Sequence, residues 1–362
     1  MKKKAVSVFA VISFIIFTLV YAVLIFAKSS YKRADLINDG IAEIYRKIMA
    51  SVTTHLPFSV FELLLMVLPI VVLILIVVAV RKFRNGEGAI RFTVNFVAVV
   101  LLIISGHNLA LGVGYRATPI DKKMGMSSVE VTEDALAELL ITLRDDVNEL
   151  SCEVEYNSDG SSRSPHTLDG ACSLILRSYD NISEKYGLPE GFESRVKPVR
   201  FSNVMSYFGV TGIYTYYTGE ANVNVSYPDY DTVFTAAHEL SHQRGVLRED
   251  EANFMAYLMC SSSDDAYLRY SAALNLYQYV ASALYRTNPD LYREIALLLC
   301  DGAKGDILAS RAVNERYGGT VIEDISRFIN DLFLKSNGAD GVIAYGKVVR
   351  LAVAYYNPEN QR

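Results

Sequence analysis

The chain has 362 residues, a net charge of −5 and 51% hydrophobic residues, the last raised by three long apolar stretches in its first third. With neither a basic block nor aromatic residues interleaved with basic ones, the composition excludes a nucleic-acid-binding role. The remaining two-thirds is long enough to bury a core of its own.

The first apolar stretch, residues 5–27, carries no charge and follows Lys2, Lys3 and Lys4. It is longer than the apolar run of a cleaved signal peptide and reads as a retained helix. The second, residues 58–80, has Glu62 near its start, and the third covers residues 92–115. Each can cross a hydrocarbon core of about 30 Å as a helix. Arg81, Lys82, Arg84 and Arg91 crowd the short loop between the second and third stretches, whereas the loop 28–57 carries a sparser set. The excess of basic residues puts the N-terminus and the short loop in the cytoplasm, and everything after Arg116 outside. The expected organisation is a membrane anchor, residues 1–116, in contact with the lipid bilayer, and an extracytoplasmic domain, residues 117–362. The spans lack the broken helices or paired charges of a transporter.

Cys152, Cys172, Cys260 and Cys300 all fall in the outer part. An even number there is compatible with two disulfides or with four free thiols, and none has CxxC spacing. Residues 116–129 read as a polar linker. Thr132, followed by Glu133 and Asp134, starts a helix. Along it Leu136, Leu139, Leu140, Leu143 and Val147 recur at helical spacing. Residues 157–165 read as a loop and residues 171–186 as a helix ending at Gly187. Strands follow at 195–201, 212–217 and 221–227. The last alternates Val223 and Val225 with Asn222 and Asn224, the pattern of a half-exposed strand. Beyond Asp231 the pattern is helical, with breaks near Gly245, Ser262, Pro289, Gly302, Gly318 and Gly338. A small mixed sheet among many helices makes this an α+β domain.

The chemistry concentrates in one segment, which places His238, Glu239 and His242 in an HExxH pattern. Residues four apart on a helix lie one turn apart on one face, so both imidazoles can bind a single Zn²⁺. Zinc lowers the pKa of a coordinated water to about 7, and Glu239 beside the first ligand can take its proton. The bland reading is an amphipathic helix with two polar residues on one face, but buried imidazoles without partners are costly. A catalytic zinc needs a third protein ligand and an open position. Gly245 can end the helix in a left-handed turn, after which Glu249, Asp250 or Glu251 can approach. Helical phase favours Glu249, which has Asn253 one turn later as an acceptor for a ligand histidine and small Ala252 and Ala256 on its side. Of the other histidines, His55 reads as a surface residue, His107 as a membrane-interface residue and His166 as a loop residue. Tyr214, Tyr216, Tyr217 and Tyr345 are candidate oxyanion donors.

His-Glu-x-x-His followed by Glu-x-x-Ala-Asn resembles the gluzincin metallopeptidases, in which the Glu of the second motif is the third ligand. That resemblance implies Glu249 as ligand and Asn253 as its support. The metzincin pattern starts similarly, but its third histidine falls here on Arg248. The segment HELSHQRGVLREDEANFMAYL, with Gly212, Tyr214, Glu220 and Asn224 before it and LKSNGADGVIAYGKVV after it, resembles a bacterial membrane family known as domain of unknown function 3810. The resemblance implies a zincin-like zinc peptidase in a bacterial membrane, without a substrate. The leading expectation is an enzyme of the cytoplasmic membrane that acts outside it on a peptide or envelope protein. A zinc amidase acting on cell-wall material and a catalytically silent zinc-binding scaffold or sensor are the alternatives. In zincins a nearby edge strand pairs with extended substrate, a role open to residues 221–227 beside a plain structural one.

Overall fold

A long apolar run has only its own carbonyls to satisfy its N–H groups in hydrocarbon, so it folds as helix. The computed structural model, which describes residues 6–84, 88–336 and 345–360, has α1 (Val8–Lys28) opened by Ser7, whose Oγ accepts the Ala10 N–H at 3.1 Å. Lys2, Lys3, Lys4 and the helix break near Gly338 lie outside the described residues. Next come α2 (Tyr31–Leu36), a π turn (Ile37–Ala42) and α3 (Glu43–Thr54), then α4 (Val60–Arg84) and α5 (Ala89–His107). The last continues through a π turn to Arg116. Three helices, Val8–Lys28, Val60–Arg84 and Ala89–Arg116, are long and apolar enough to cross a membrane. The second runs past residue 80 and carries Arg81, Lys82 and Arg84 on its last turn, where cations suit the negative end of the helix dipole.

The segment between the first two apolar helices is not a free loop. It is helical and folds into the rest of the chain. Arg46 is fully buried, donating to the Asn38 carbonyl at 2.7 Å and to Asn38 Oδ1 at 3.2 Å. Opposite charges meet the helix ends on either side of it. Lys197 Nζ donates to the carbonyls of Thr53, at 2.9 Å, and Leu56, at the end of α3. The Glu220 carboxylate accepts the N–H groups of Val60 and Phe61, both at 2.9 Å, in the first turn of α4. Glu62 returns the contact, accepting the Phe201 N–H at 2.7 Å. Helix ends carry unsatisfied carbonyls or N–H groups and partial charge, so a buried Lys at one and a buried Glu at the other satisfy both. Glu220→Ala is expected to cost about 2–3 kcal/mol, since it strips two buried donors of a charged acceptor. The readout is the melting temperature of the full chain in detergent, and an unchanged value would mean that this contact does not hold the two parts together.

In the outer part, α6 (Ile120–Lys123) precedes α7 (Glu133–Ser151), which is capped by the Thr132 hydroxyl and buries Leu136, Leu139, Leu140, Leu143 and Val147. The expected loop at 157–165 holds part of a hairpin, β1 (Glu155–Tyr156) with β2 (Ser162–Arg163). Helix α8 (Leu168–Tyr186) starts three residues before the expected 171, because Thr167 accepts the Gly170 N–H and caps it there. Then follow β3 (Val196–Val199), α9 (Ser202–Tyr207), β4 (Gly212–Thr215) and β5 (Glu220–Asn224). Their order is β3-β5-β4, with β5 parallel to β3 and antiparallel to β4.

This order overturns the half-exposed reading for residues 221–224: β5 is the central strand and buried throughout, while Val225 beyond its end is exposed. Its asparagines are buried because their amides are used. Asn222 accepts from Ser59 Oγ at 2.6 Å and donates to the Ile213 carbonyl at 3.2 Å. Asn224 donates to Ser206 Oγ and the Val210 carbonyl, both at 2.9 Å. Fully bonded amides can sit inside where unbonded ones cannot.

The rest is helical: α10 (Asp229–Gln243), α11 (Glu249–Ser261), α12 (Ala266–Thr287), α13 (Pro289–Leu297), α14 (Asp301–Tyr317), α15 (Val321–Ser336) and α16 (Tyr345–Tyr356). Helix α12 runs through the core against α7, α10, α11 and α16. The domain is therefore mostly helical with small sheets. All four cysteines are free thiols, Cys172 and Cys260 buried and Cys152 exposed.

Candidate metal centre

The site forms where α10 stops and the chain turns back. The Gly245 N–H bonds the His242 carbonyl at 3.0 Å and the Val246 N–H bonds the Ser241 carbonyl at 3.1 Å, closing the helix end with Gly245 at φ +89°. A side chain is barred there twice over: that φ disfavours it, and a Cβ would come within 2.4 Å of the Arg46 guanidinium. Arg248 follows, donating to the carbonyls of Tyr115 and Ala117 at 3.1 and 2.7 Å and to Glu251 Oε1 at 2.7 Å. It thereby starts α11 with Glu249 facing α10.

Three side chains converge. His238 Nε2 lies 3.3 Å from Glu249 Oε2, and His242 Nε2 lies 3.7 Å from Glu249 Oε1. One ligand atom from each of the three fits within 4.8 Å of the others. Both rings are pinned from behind. His238 Nδ1 is 2.9 Å from Asn253 Oδ1, and His242 Nδ1 is 2.8 Å from the Val246 carbonyl. With an acceptor at each Nδ1, a proton belongs there, and each Nε2 is aimed at the Glu249 carboxylate, where it could give its lone pair to a cation after losing any proton of its own. Tetrahedral zinc with bonds of about 2.0–2.2 Å sets its ligand atoms roughly 3.3–3.6 Å apart; the separations of 3.3 and 3.7 Å lie near that range, so the three residues could hold such an ion.

Glu251 is turned away, its carboxylate shared between Arg248 and the Ile120 N–H. Asp250 is buried apart from the cluster. Glu239 lies alongside, buried, with Oε2 lacking any hydrogen-bond partner. Its Oε1 sits over Gly212, where a Cβ would approach to 2.5 Å, so the close packing of β4 on α10 depends on a glycine at 212. Burial pushes the Glu239 carboxyl up, and the neighbouring histidines pull it back only in part. For His242 burial opposes the charge, but the Glu249 carboxylate outweighs it and the group is pushed up to about 9. Glu249 moves the opposite way: burial raises it, yet the two histidines hold it well below the usual carboxylate range. Without a cation, the cluster is a half-buried site where negative charge meets bound protons.

Two clefts meet at this cluster. One, of about 890 Å³, runs from His238 and Glu249 past Asn253, Asn275, Gln278 and Asn314, and its wall is rich in amides. The other, of about 700 Å³, is bounded by β4, by His107 and Leu111 in the last turns of the third apolar helix, and by Ile325 and Ile329 of α15. The free strand edge at the site therefore belongs to β4, not to β5, which forms the centre of the sheet.

Tyr214, Tyr216 and Tyr217 all line the second cleft, whereas the side chain of Tyr345 lies outside the described residues. Sequence reasoning missed Tyr115 and Leu247 in that wall. It also placed His107 only at a membrane interface, although the ring sits in the cleft, edge-on to Tyr216 with centroids 5.6 Å apart. No local pattern marks these residues, because the contacts join segments about a hundred residues apart. His55 is exposed near Glu193, and His166 pairs with Asp265 at 2.7 Å, both far from the cluster in role.

The chain belongs to the family described as Protein of unknown function (DUF3810), whose model matches residues 37–353. The match begins in the π turn before α3 and so takes in the buried Arg46 as well as the histidines. No curated protein and no solved structure matches the chain.

Proposed function

We propose that this protein is a membrane-anchored zinc metallopeptidase, zincin-like and gluzincin-like in its ligand set, that hydrolyses a peptide or envelope protein outside a bacterial cytoplasmic membrane. The observation that carries the reading is the convergence of His238, His242 and Glu249 beside the buried, unpartnered oxygen of Glu239. The three would hold Zn²⁺ and leave a position open toward the clefts. Zinc, when bound, acidifies water and polarises a substrate carbonyl. Asn253 and the Val246 carbonyl keep the two rings aimed. Glu239 accepts the proton of the attacking water and returns it to the leaving amine. The outer edge of β4 offers backbone groups along which an extended peptide can lie.

The wide amide-lined cleft suits sugar hydroxyls as well as peptide groups, which favours a cell-wall amidase as the second reading. Digestion of protein and of wall fragments by the purified full chain separates the two. That chain is expected to carry about one zinc per molecule, as a single three-ligand site requires. Elemental analysis that finds none in the folded protein would sink the metal assignment.

The helix ends support the orientation read from the charges. The end of α1 packs with α2 and Val113, the start of α4 is held by Glu220, and Ile103 near the end of α5 accepts from Tyr216. The basic residues Arg81, Lys82 and Arg84, on the last turn of α4, are thus at the opposite end of the apolar helices from the cluster. A reporter active only outside the cytoplasm is expected to work when fused after Arg362 and to be silent at Asn85. The reverse pattern would place the cluster in the cytoplasm.

A further inference from the structure

A helix that packs in a soluble domain turns its apolar stripe inward. Helix α15 does the opposite. Ile322, Ile325, Phe328, Ile329 and Leu332 fall on one face and are 46–69% exposed, while Glu323 on the other side is buried, accepting from Gly319 N–H and from Arg327. Helix α9 continues the surface. Tyr207 meets Tyr317 edge-to-face at 5.0 Å just before α15, and its carbonyl accepts from Thr320 Oγ1 at 3.3 Å. Phe201, Val204 and Phe208 around α9 are likewise exposed, at 53, 51 and 44%.

Two tethers fix where this surface lies. Phe201 is bonded through its N–H to Glu62 in the first turn of α4, and Ile325 and Ile329 share a cleft wall with His107 at the end of α5 and Leu111 in the π turn that continues it. The apolar surface therefore borders the ends of two helices that are themselves long and apolar enough to cross a membrane. We propose that α9 and α15 rest in the headgroup layer of the bilayer those helices cross, so that the cleft beside His242 opens at the membrane surface. This rests on reading the three apolar helices as membrane spans. A contiguous apolar surface beside span ends is what an interfacial helix presents to lipid. The charges of α15 are Glu323, Asp324, Arg327, Asp331 and Lys335, without a basic excess. Attachment is by apolar area, so zwitterionic lipid suffices.

The chain contains no tryptophan, which makes a direct test available. Three single-tryptophan forms of the full chain, Phe328→Trp on α15, Phe96→Trp within α5 and Leu297→Trp on α13, are reconstituted into phosphatidylcholine vesicles with lipids brominated along the acyl chain. Phe328→Trp is expected to lose about half its emission, most to bromines nearest the headgroup, as an interfacial depth of about 5–10 Å dictates. Phe96→Trp should respond most to deeper bromines, and Leu297→Trp, exposed on a helix packed on α7 and α12, to none. Equal signals at Phe328→Trp and Leu297→Trp would overturn the proposal. An unquenched but blue-shifted Phe328→Trp would also overturn it, and would mean that a second copy or another protein covers α15. An unquenched Phe96→Trp would remove the spans and the proposal together, whereas failure at Phe328→Trp alone leaves the spans standing.

Discussion

Replacing Glu239 with glutamine is expected to leave the zinc content near one per chain and to lower hydrolysis by about 10²–10⁴-fold, the usual contribution of a positioned general base. The retention follows from geometry: Glu239 is not one of the three converging ligands, and glutamine keeps its size in a place closed off by Gly212 and Thr235. The loss follows from chemistry, because a neutral amide cannot take the proton that the unpartnered Oε2 is placed to accept. His238→Ala, in contrast, is expected to lose both zinc and activity, since it removes one of three protein ligands. Elemental analysis and a proteolysis assay on the same preparations read both quantities. A Glu239→Gln protein with full activity would end the general-base assignment. An inactive one that still holds zinc is also the form in which substrate can be trapped and identified by mass spectrometry.

The parts of this site that could be read from sequence are those set by local periodicity. His238 and His242 fall on one face of α10 because four residues make about one turn, and Gly245 marks where that helix must stop. Apolar runs of span length are equally local. The rest depends on pairings that no local pattern records. Arg46 falls among the sparse basic residues of segment 28–57, and it is buried because Asn38 binds it and Gly245, about two hundred residues away, leaves room for its guanidinium. Alternation of Val223 with Asn222 and Asn224 reads as one wet face. In the fold those amides bond Ser59, Ser206, the Ile213 carbonyl of β4 and the Val210 carbonyl of the loop before it, and the strand lies at the centre of the sheet. Pairs such as Lys197 with Thr53 and Glu220 with Val60 turn the segment before the second apolar helix into part of the outer domain. These contacts cross residue 116, where hydropathy divides the chain.

Glu249→Ala and Glu251→Ala are expected to separate affinity from stability. Glu249 supplies both carboxylate oxygens that face the histidines, so its loss should weaken zinc binding by at least about 100-fold, beyond the roughly 10–100-fold typical of a supporting residue. Its effect on the metal-free fold should be smaller, because it is only half-buried and opens onto the clefts. Glu251 makes the opposite case. From sequence alone a helix-face carboxylate that binds no metal should be nearly silent, but this one is buried between Arg248 and the Ile120 N–H. Truncating it leaves a part-buried guanidinium without its partner at the point where α11 starts. A cost of about 3 kcal/mol in stability is expected, with little change in intrinsic zinc affinity. Chelator-competition titration gives the affinities, and thermal melting of the metal-free proteins gives the stabilities. If Glu251→Ala alone loses zinc while Glu249→Ala binds normally, the third ligand has been misassigned. If both bind normally, the two histidines hold the ion without a carboxylate from this turn.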